Sequence, residues 1–316
     1  MSDQAAEFVA ISQAYQAGGG DPASLLDDRF ASLVVSHNRV LRSHSIPGVR
    51  IEGRQTPTGA DAVITVDRGV TVAAPVHLCF GVLPKEGIQE IRSEFHIGEG
   101  AKVSFLAHCS FPNAVRVKHL MRAKIYVGRG AEMAYSETHY HGPEGGVEVE
   151  PVAEIVVDEG GVYRSSFKLI QGAVGTLKLD YRADVNKDAV CELDAKVYGK
   201  ASDQIVINES LSLNGENARG LAKTRVVASE HCVSTVIGEA VGNAPGARGH
   251  VDCVEILKGP HARASAIPKL TVNDELAKLT HEAAIGSVDK RQVETLMARG
   301  LSEQEAVDAI VKGMLR

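Results

Sequence analysis

Val66-Asp67-Arg68-Gly69-Val70, Ile97-Gly98-Glu99-Gly100-Ala101, Val127-Gly128-Arg129-Gly130-Ala131 and Val157-Asp158-Glu159-Gly160-Gly161 are four versions of one short motif. In each, an apolar strand-like segment stops, passes through charged or small residues and a glycine, and resumes. Gly69, Gly100, Gly130 and Gly160 are 31, 30 and 30 residues apart. Glycine reaches φ > 0 at low steric cost, which suits a tight turn, and the flanking Val/Ile-rich runs read as strands. Self-similarity at one long period marks a solenoid, in which each coil buries its apolar face on the next. A β-sandwich, the competing arrangement, shows turn signals every ~8–12 residues without that period. The sequence therefore predicts a mainly β fold, a parallel β-helix. Weaker echoes of the turn follow at Val185-Asn186-Lys187-Asp188-Ala189, Ser229-Glu230-His231-Cys232 and Lys258-Gly259-Pro260-His261-Ala262.

Outward from this core the pattern becomes helical. Ala5, Phe8, Val9, Ser12 and Tyr15 stand at helical spacing ahead of Gly18-Gly19-Gly20, and Asp21-Pro22 reads as an N-cap followed by Pro at the first helical position. Beyond Asn273-Asp274, Asp289 with Gln292 and Ser302 with Glu305 have capping-box spacing, and Gly300 and Gly313 read as stops. The expected organisation is an N-terminal helical cap over 1–48, a parallel β-helix over 49–272, and a C-terminal helical domain over 273–316.

The formal net charge of −6 comes from interspersed acids and bases without a Lys/Arg cluster, so nucleic acid is not an expected partner. The acidic start lacks the features of a signal peptide, and no segment has the length of a spanning helix, so a cytoplasmic protein is expected. Five widely spaced cysteines without a CxxC argue against a disulfide framework or a zinc ribbon. No GxxxxGK[ST] loop is present, so nucleotide chemistry would belong to a partner. A carbohydrate-active β-helix enzyme is disfavoured by the absence of Trp and of a clustered acid pair.

In stacked coils, equal offsets from the turn form ladders about 4.8 Å apart. His77 and Cys79 lie 8 and 10 residues after Gly69, His108 and Cys109 lie 8 and 9 after Gly100, and His139 and His141 lie 9 and 11 after Gly130. The expectation is that three coils bring thiol and imidazole together, a donor set for soft or borderline metals. Near the other end, Cys253 is expected on the penultimate strand, with His281 and Glu282 following the last one: a thiol, an imidazole and a carboxylate that can converge on a metal, or equally an apolar thiol and a solvated loop or helix start.

The run Leu279-Thr280-His281-Glu282-Ala283-Ala284-Ile285-Gly286 and the later Met297-Ala298-Arg299-Gly300-Leu301-Ser302-Glu303-Gln304-Glu305-Ala306 closely resemble the C-terminal signature of the SufB/SufD family. Asp252-Cys253-Val254-Glu255 and His261-Ala262-Arg263-Ala264 resemble its last β-helix turn, and Gly100 to Cys109 another family turn that carries a cysteine. The resemblance implies a right-handed parallel β-helix that acts as an iron–sulfur cluster scaffold, with a C-terminal helical domain docking a SufC-like ABC ATPase. It implies Cys253, Glu282 and His281 as cluster ligands at the interface of two β-helix subunits. Cys109 is implied in sulfur handling, which makes Cys109, His108 and His139 a candidate sulfur or metal relay. Leu296, Met297, Leu301, Ala306 and Ile310 are the expected ATPase-docking residues. The chain departs from bacterial SufB at His139 and His141, where Gln and Trp are usual. Its shorter length resembles the minimal single-subunit form of the system, implying a homodimer. A SufD-like structural subunit without its own cluster, or one pairing with such a paralogue, is the alternative.

Overall fold

The computed structural model describes residues 3–315. Its strands form two long sheets, one of ten strands and one of nine, and from Val76 onward successive strands alternate between them. Each strand pairs in parallel with the strand one coil away: Lys102–Phe111 with Glu132–His141, for example, and Arg116–Val127 with Val147–Val157. That is a β-solenoid flattened into two faces, with the core between them. Burial alternates along the strands, as in Gln204–Leu213, so one side of each sheet lines the lumen and the other faces out. The lumen is filled by Val, Ile, Leu, Ala and Phe side chains.

The turn motif explains the stacking. Gly69, Gly100, Gly130 and Gly160 all adopt positive φ, and Asp188, Asn217 and Gly246 continue the column with φ of +54°, +57° and +71°. Each of these turns is tied to its neighbour: the N–H groups of Gly100 and Gly130 donate to the carbonyls of Arg129 and Glu159, both at 2.9 Å. Of the weaker echoes, Asp188 belongs to this column. Glu230 and Gly259 instead lie at the opposite edge, where the chain crosses to the other sheet, and there His231 and His261 stack with ring centroids 4.8 Å apart. A further ladder runs along the turns: Asn214 donates to Asp184, Asn243 to Asn214 and Asn273 to Asn243, at 3.0, 2.7 and 2.7 Å.

Strands begin at Ser32 and end at Ser287, past both ends of the expected 49–272 span. The first coil is closed by antiparallel pairing of Ser32–Ser36 with Arg39–His44 and of Val49–Gln55 with Gly59–Val66. The helices Asp3–Ala17 and Pro22–Leu26 lie along the flank rather than over the end. Ile11, Tyr15 and Leu25 bury against Val34 and Cys79, whereas Val9, one of the expected apolar positions, is exposed. The C-terminal helices Lys290–Met297 and Glu303–Met314 also lie on the flank. Val311 and Leu315 pack on Val227, with Ile170, Tyr198 and Ile256 around them, and Lys258 Nζ bonds Asp308 at 2.9 Å. The Ser302–Glu305 capping box forms, while Gly313 lies inside its helix instead of ending it. No helix among the described residues is long and apolar enough to cross a membrane.

With both helical segments on the flank, the far end of the solenoid is open. Arg263–Val272 and Lys278–Ser287 are the edge strands of their sheets, and among the described residues nothing pairs with their outer sides. Ile267, Val272, Leu276 and Ile285 are exposed there.

Candidate functional site

The His and Cys residues of the three early coils do not form one group. On Lys102–Phe111 the lumen-facing residues are Val103, Phe105, Ala107, Cys109 and Phe111, so His108 faces out. On Val76–Gly81 the lumen side holds Val76, Leu78 and Phe80, so His77 and Cys79 also face out. These three lie under the N-terminal helices: Tyr15 Oη is 3.0 Å from His77 Nδ1, and its ring packs edge-on against His108. Burial beneath the helices pushes the Cys79 thiol up to about 12 and the His108 imidazole down to about 4. The expected relay is thus split by the sheet, with His108 on one side and Cys109 and His139 on the other.

Inside the lumen the register places Cys109 directly opposite His139 on the neighbouring strand, and Phe111 opposite His141. Glu137, two residues before His139, points the same way and joins the ladder as a residue that is neither His nor Cys. His139 Nε2 lies 2.6 Å from Glu137 Oε1, and His139 Nδ1 lies 3.3 Å from His141 Nε2. One donor atom each from Cys109, Glu137 and His139 lies within 4.8 Å of the others. His119, from the opposite sheet, completes the cluster with its ring centroid 6.0 Å from that of His139. Glu137, His139, His141 and His119 are no more than 2 % exposed. Burial raises the Cys109 thiol well above its ordinary value and drives His119 and His141 well below theirs.

At the open end, Cys253 occupies the strand Arg248–Lys258, which is followed by two more strands rather than one. His281 and Glu282 do not follow the last strand; they lie on it, in Lys278–Ser287. Val251 is opposite His281, Asp252 opposite Glu282, and Cys253 opposite Ala283. Since side chains alternate along a strand, Cys253 and His281 share the lumen side and Glu282 shares the outer side with Asp252. Cys253 is 4 % exposed, while His281 and Glu282 are exposed. Burial, then the nearby Glu255 and Glu209 carboxyls, push the Cys253 thiol up to about 12, with Arg225 opposing. Glu255 and Glu209 are further buried carboxyls of the lumen, held by Ser234 and by Thr224, whose hydroxyl donates to Glu209 at 2.8 Å.

Of the expected docking residues, Ala306 is completely buried against the protein's own fold. Met297 is exposed, and Leu296, Leu301 and Ile310 are half-buried.

Residues 84–314 match the family model for the SufBD core domain of SUF system FeS cluster assembly. The chain belongs to the SufBD family. It is 38 % identical over 309 residues to an iron–sulfur cluster assembly SufBD family protein of Methanocaldococcus jannaschii, covering 98 % of each chain. A SufBD family protein of Pyrococcus horikoshii is 34 % identical over 309 residues, with 98 % of this chain and 94 % of that one covered. The iron–sulfur cluster assembly protein SufB of Bacillus subtilis is 23 % identical over 287 residues, covering 80 % and 54 %. The SufBD core match spans the open end, the lumen cluster and the C-terminal helices.

Proposed function

We propose that this SufBD protein is a scaffold subunit of a SUF-type assembly complex, on which a nascent iron–sulfur cluster forms at the open end of the β-helix. The observation that carries this reading is the placement of Cys253 one strand in from a free sheet edge, beside exposed His281 and Glu282. A thiolate with imidazole and carboxylate partners is a more exchangeable set than four cysteines, and a scaffold must release its cargo. Unpaired edge strands bearing exposed apolar residues invite a partner edge. A second copy of the chain, or a SufD-like paralogue, would close this end. Because Glu282 lies on the opposite side of its strand from His281, the second subunit is what brings the ligand set to one place. In a symmetric pair, each contact is made twice.

The scaffold hydrolyses nothing itself in this reading. A SufC-like ABC ATPase docks on the C-terminal helices through Met297 and the half-buried Leu296, Leu301 and Ile310, and its motions are relayed to the solenoid by Val311, Leu315 and the Lys258–Asp308 bond. A second reading, a structural subunit without its own cluster, is favoured by the burial of Cys253 and its raised thiol. Anaerobic reconstitution with iron and sulfide separates the two: the scaffold reading expects cluster absorbance that Cys253→Ala abolishes, and the structural reading expects none in either protein.

A further inference from the structure

The lumen cluster at Cys109 lies among apolar side chains, several coils away from Cys253 and the Glu209 and Glu255 carboxyls near it. Buried polar groups in folded proteins are nearly always hydrogen-bonded, and exceptions call for an unseen water or ion. Among the described residues, neither imidazole nitrogen of His119 has a hydrogen-bond partner. Phe111 packs on the His119 ring, with centroids 4.8 Å apart. Concentrating a carboxyl, a thiol and three imidazoles in a low-dielectric space is costly for folding unless something compensates.

We propose that Cys109, Glu137 and His139, faced by the unpartnered His119, bind one divalent first-row transition ion inside the β-helix. The donor set selects the class of ion. A thiolate with imidazoles suits zinc or ferrous iron and does not suit magnesium or calcium. Charge selects it too, since a thiolate and a carboxylate neutralise a divalent cation and leave no net charge in the core. The distances fit: the three donors already lie within 4.8 Å of one another, and His141 Nε2, 3.3 Å from His139 Nδ1, meets the other nitrogen of that ring and orients it. A small contraction brings such groups to ligand distance. His119, on the facing sheet, closes the site on its remaining side. Every donor is sealed from solvent, so the ion is taken up as the coils close and is structural in character, distinct from a labile cargo at Cys253.

The test is anaerobic refolding of the full chain with cobalt(II), a spectroscopic stand-in for zinc or ferrous iron. A single bound equivalent with a thiolate-to-cobalt charge-transfer band is expected, unchanged in Cys253→Ala and lost in Cys109→Ser. Should Cys109→Ser fail to fold, Glu137→Gln and His139→Gln carry the test, each expected to weaken cobalt binding by about 10- to 100-fold or more. No thiolate band in the wild type, a band that survives Cys109→Ser, or unchanged affinity in both glutamine variants overturns the site. Loss of cluster reconstitution at Cys253 leaves this readout untouched, so the two sites succeed or fail separately.

Discussion

Glu137 Oε1 and His139 Nε2 sit 2.6 Å apart inside the solenoid, two residues apart on one strand and both sealed from water. Side chains at this spacing share a face, so the pair is built by the strand itself. Removing one partner of such a buried couple strands the other. Glu137→Ala should therefore lower the stability of the metal-free protein by about 3–5 kcal/mol. Glu137→Gln, which keeps the volume and an acceptor oxygen, should cost about half that or less. Urea denaturation followed by far-UV circular dichroism distinguishes the two. Equal small losses in both variants would show that the couple is unimportant to folding.

A second buried carboxyl sets a pH dependence. Burial pushes Glu209 up to about 8, partly offset by the Thr224 hydroxyl. A group that holds its proton more tightly when folded contributes fully below its unfolded value of 4.5, and that contribution is lost as pH rises through about 8. Wild type should lose stability relative to Glu209→Gln across that window, by up to about 1.4 kcal/mol per pH unit. Denaturation midpoints at pH 5.5, about 6.5 and about 7.5 check it; parallel pH curves for the two proteins would contradict it.

The turn column predicts two different kinds of glycine. At Gly100, φ is +68° and nothing lies within 4 Å of an added Cβ, so the constraint is conformational. Asp188 and Asn217 fill the equivalent position in later coils. Gly100→Asn should be close to neutral and Gly100→Val should cost about 1–2 kcal/mol. At Gly215 a Cβ would lie 1.9 Å from the Lys187 backbone nitrogen of the preceding coil. Gly215→Ala therefore forces two coils apart and should cost about 3 kcal/mol or more. Thermal melts of the three variants test the ranking.

Asp203 ties the opposite edge. It is buried, and its carboxylate accepts from the backbone N–H of Gly175 at 2.8 Å and of Lys200 at 2.9 Å. Asp203→Ala leaves those donors unsatisfied and should cost about 2–4 kcal/mol. Hydrogen exchange should show the gain in opening concentrated at 172–175 and 200–204; an even increase along the whole solenoid would contradict this placement.

The period was legible because the turn demands positive φ, and only a few residue types meet that demand cheaply. The face of each strand was harder to read, because one residue of offset reverses it. Even offsets from the turn glycine, those of His77, Cys79 and His108, point outward. Odd offsets, those of Cys109, His139 and His141, point into the lumen. Parity was thus the signal that sorts the ladder, and it also picks out Glu137, seven residues after Gly130. His119 carries no such mark, since it comes from the second strand of its coil and meets His139 only across the lumen. At the open end, His281 and Glu282 read as a junction because the helical pattern follows closely, yet parallel pairing with Arg248–Lys258 draws them into the last strand. The Asn214, Asn243 and Asn273 ladder repeats at 29 and 30 residues, a weak mark in sequence because single asparagines are ordinary in turns.

The central claim is that Cys253 at the open end anchors a nascent cluster. Anaerobic reconstitution of the full chain with iron and sulfide, read by visible absorbance and iron and sulfide content, tests it most directly. Cluster absorbance in the wild type, abolished by Cys253→Ala and sharply reduced by Glu282→Ala, is the predicted result. Absorbance that is undiminished in Cys253→Ala would contradict the account.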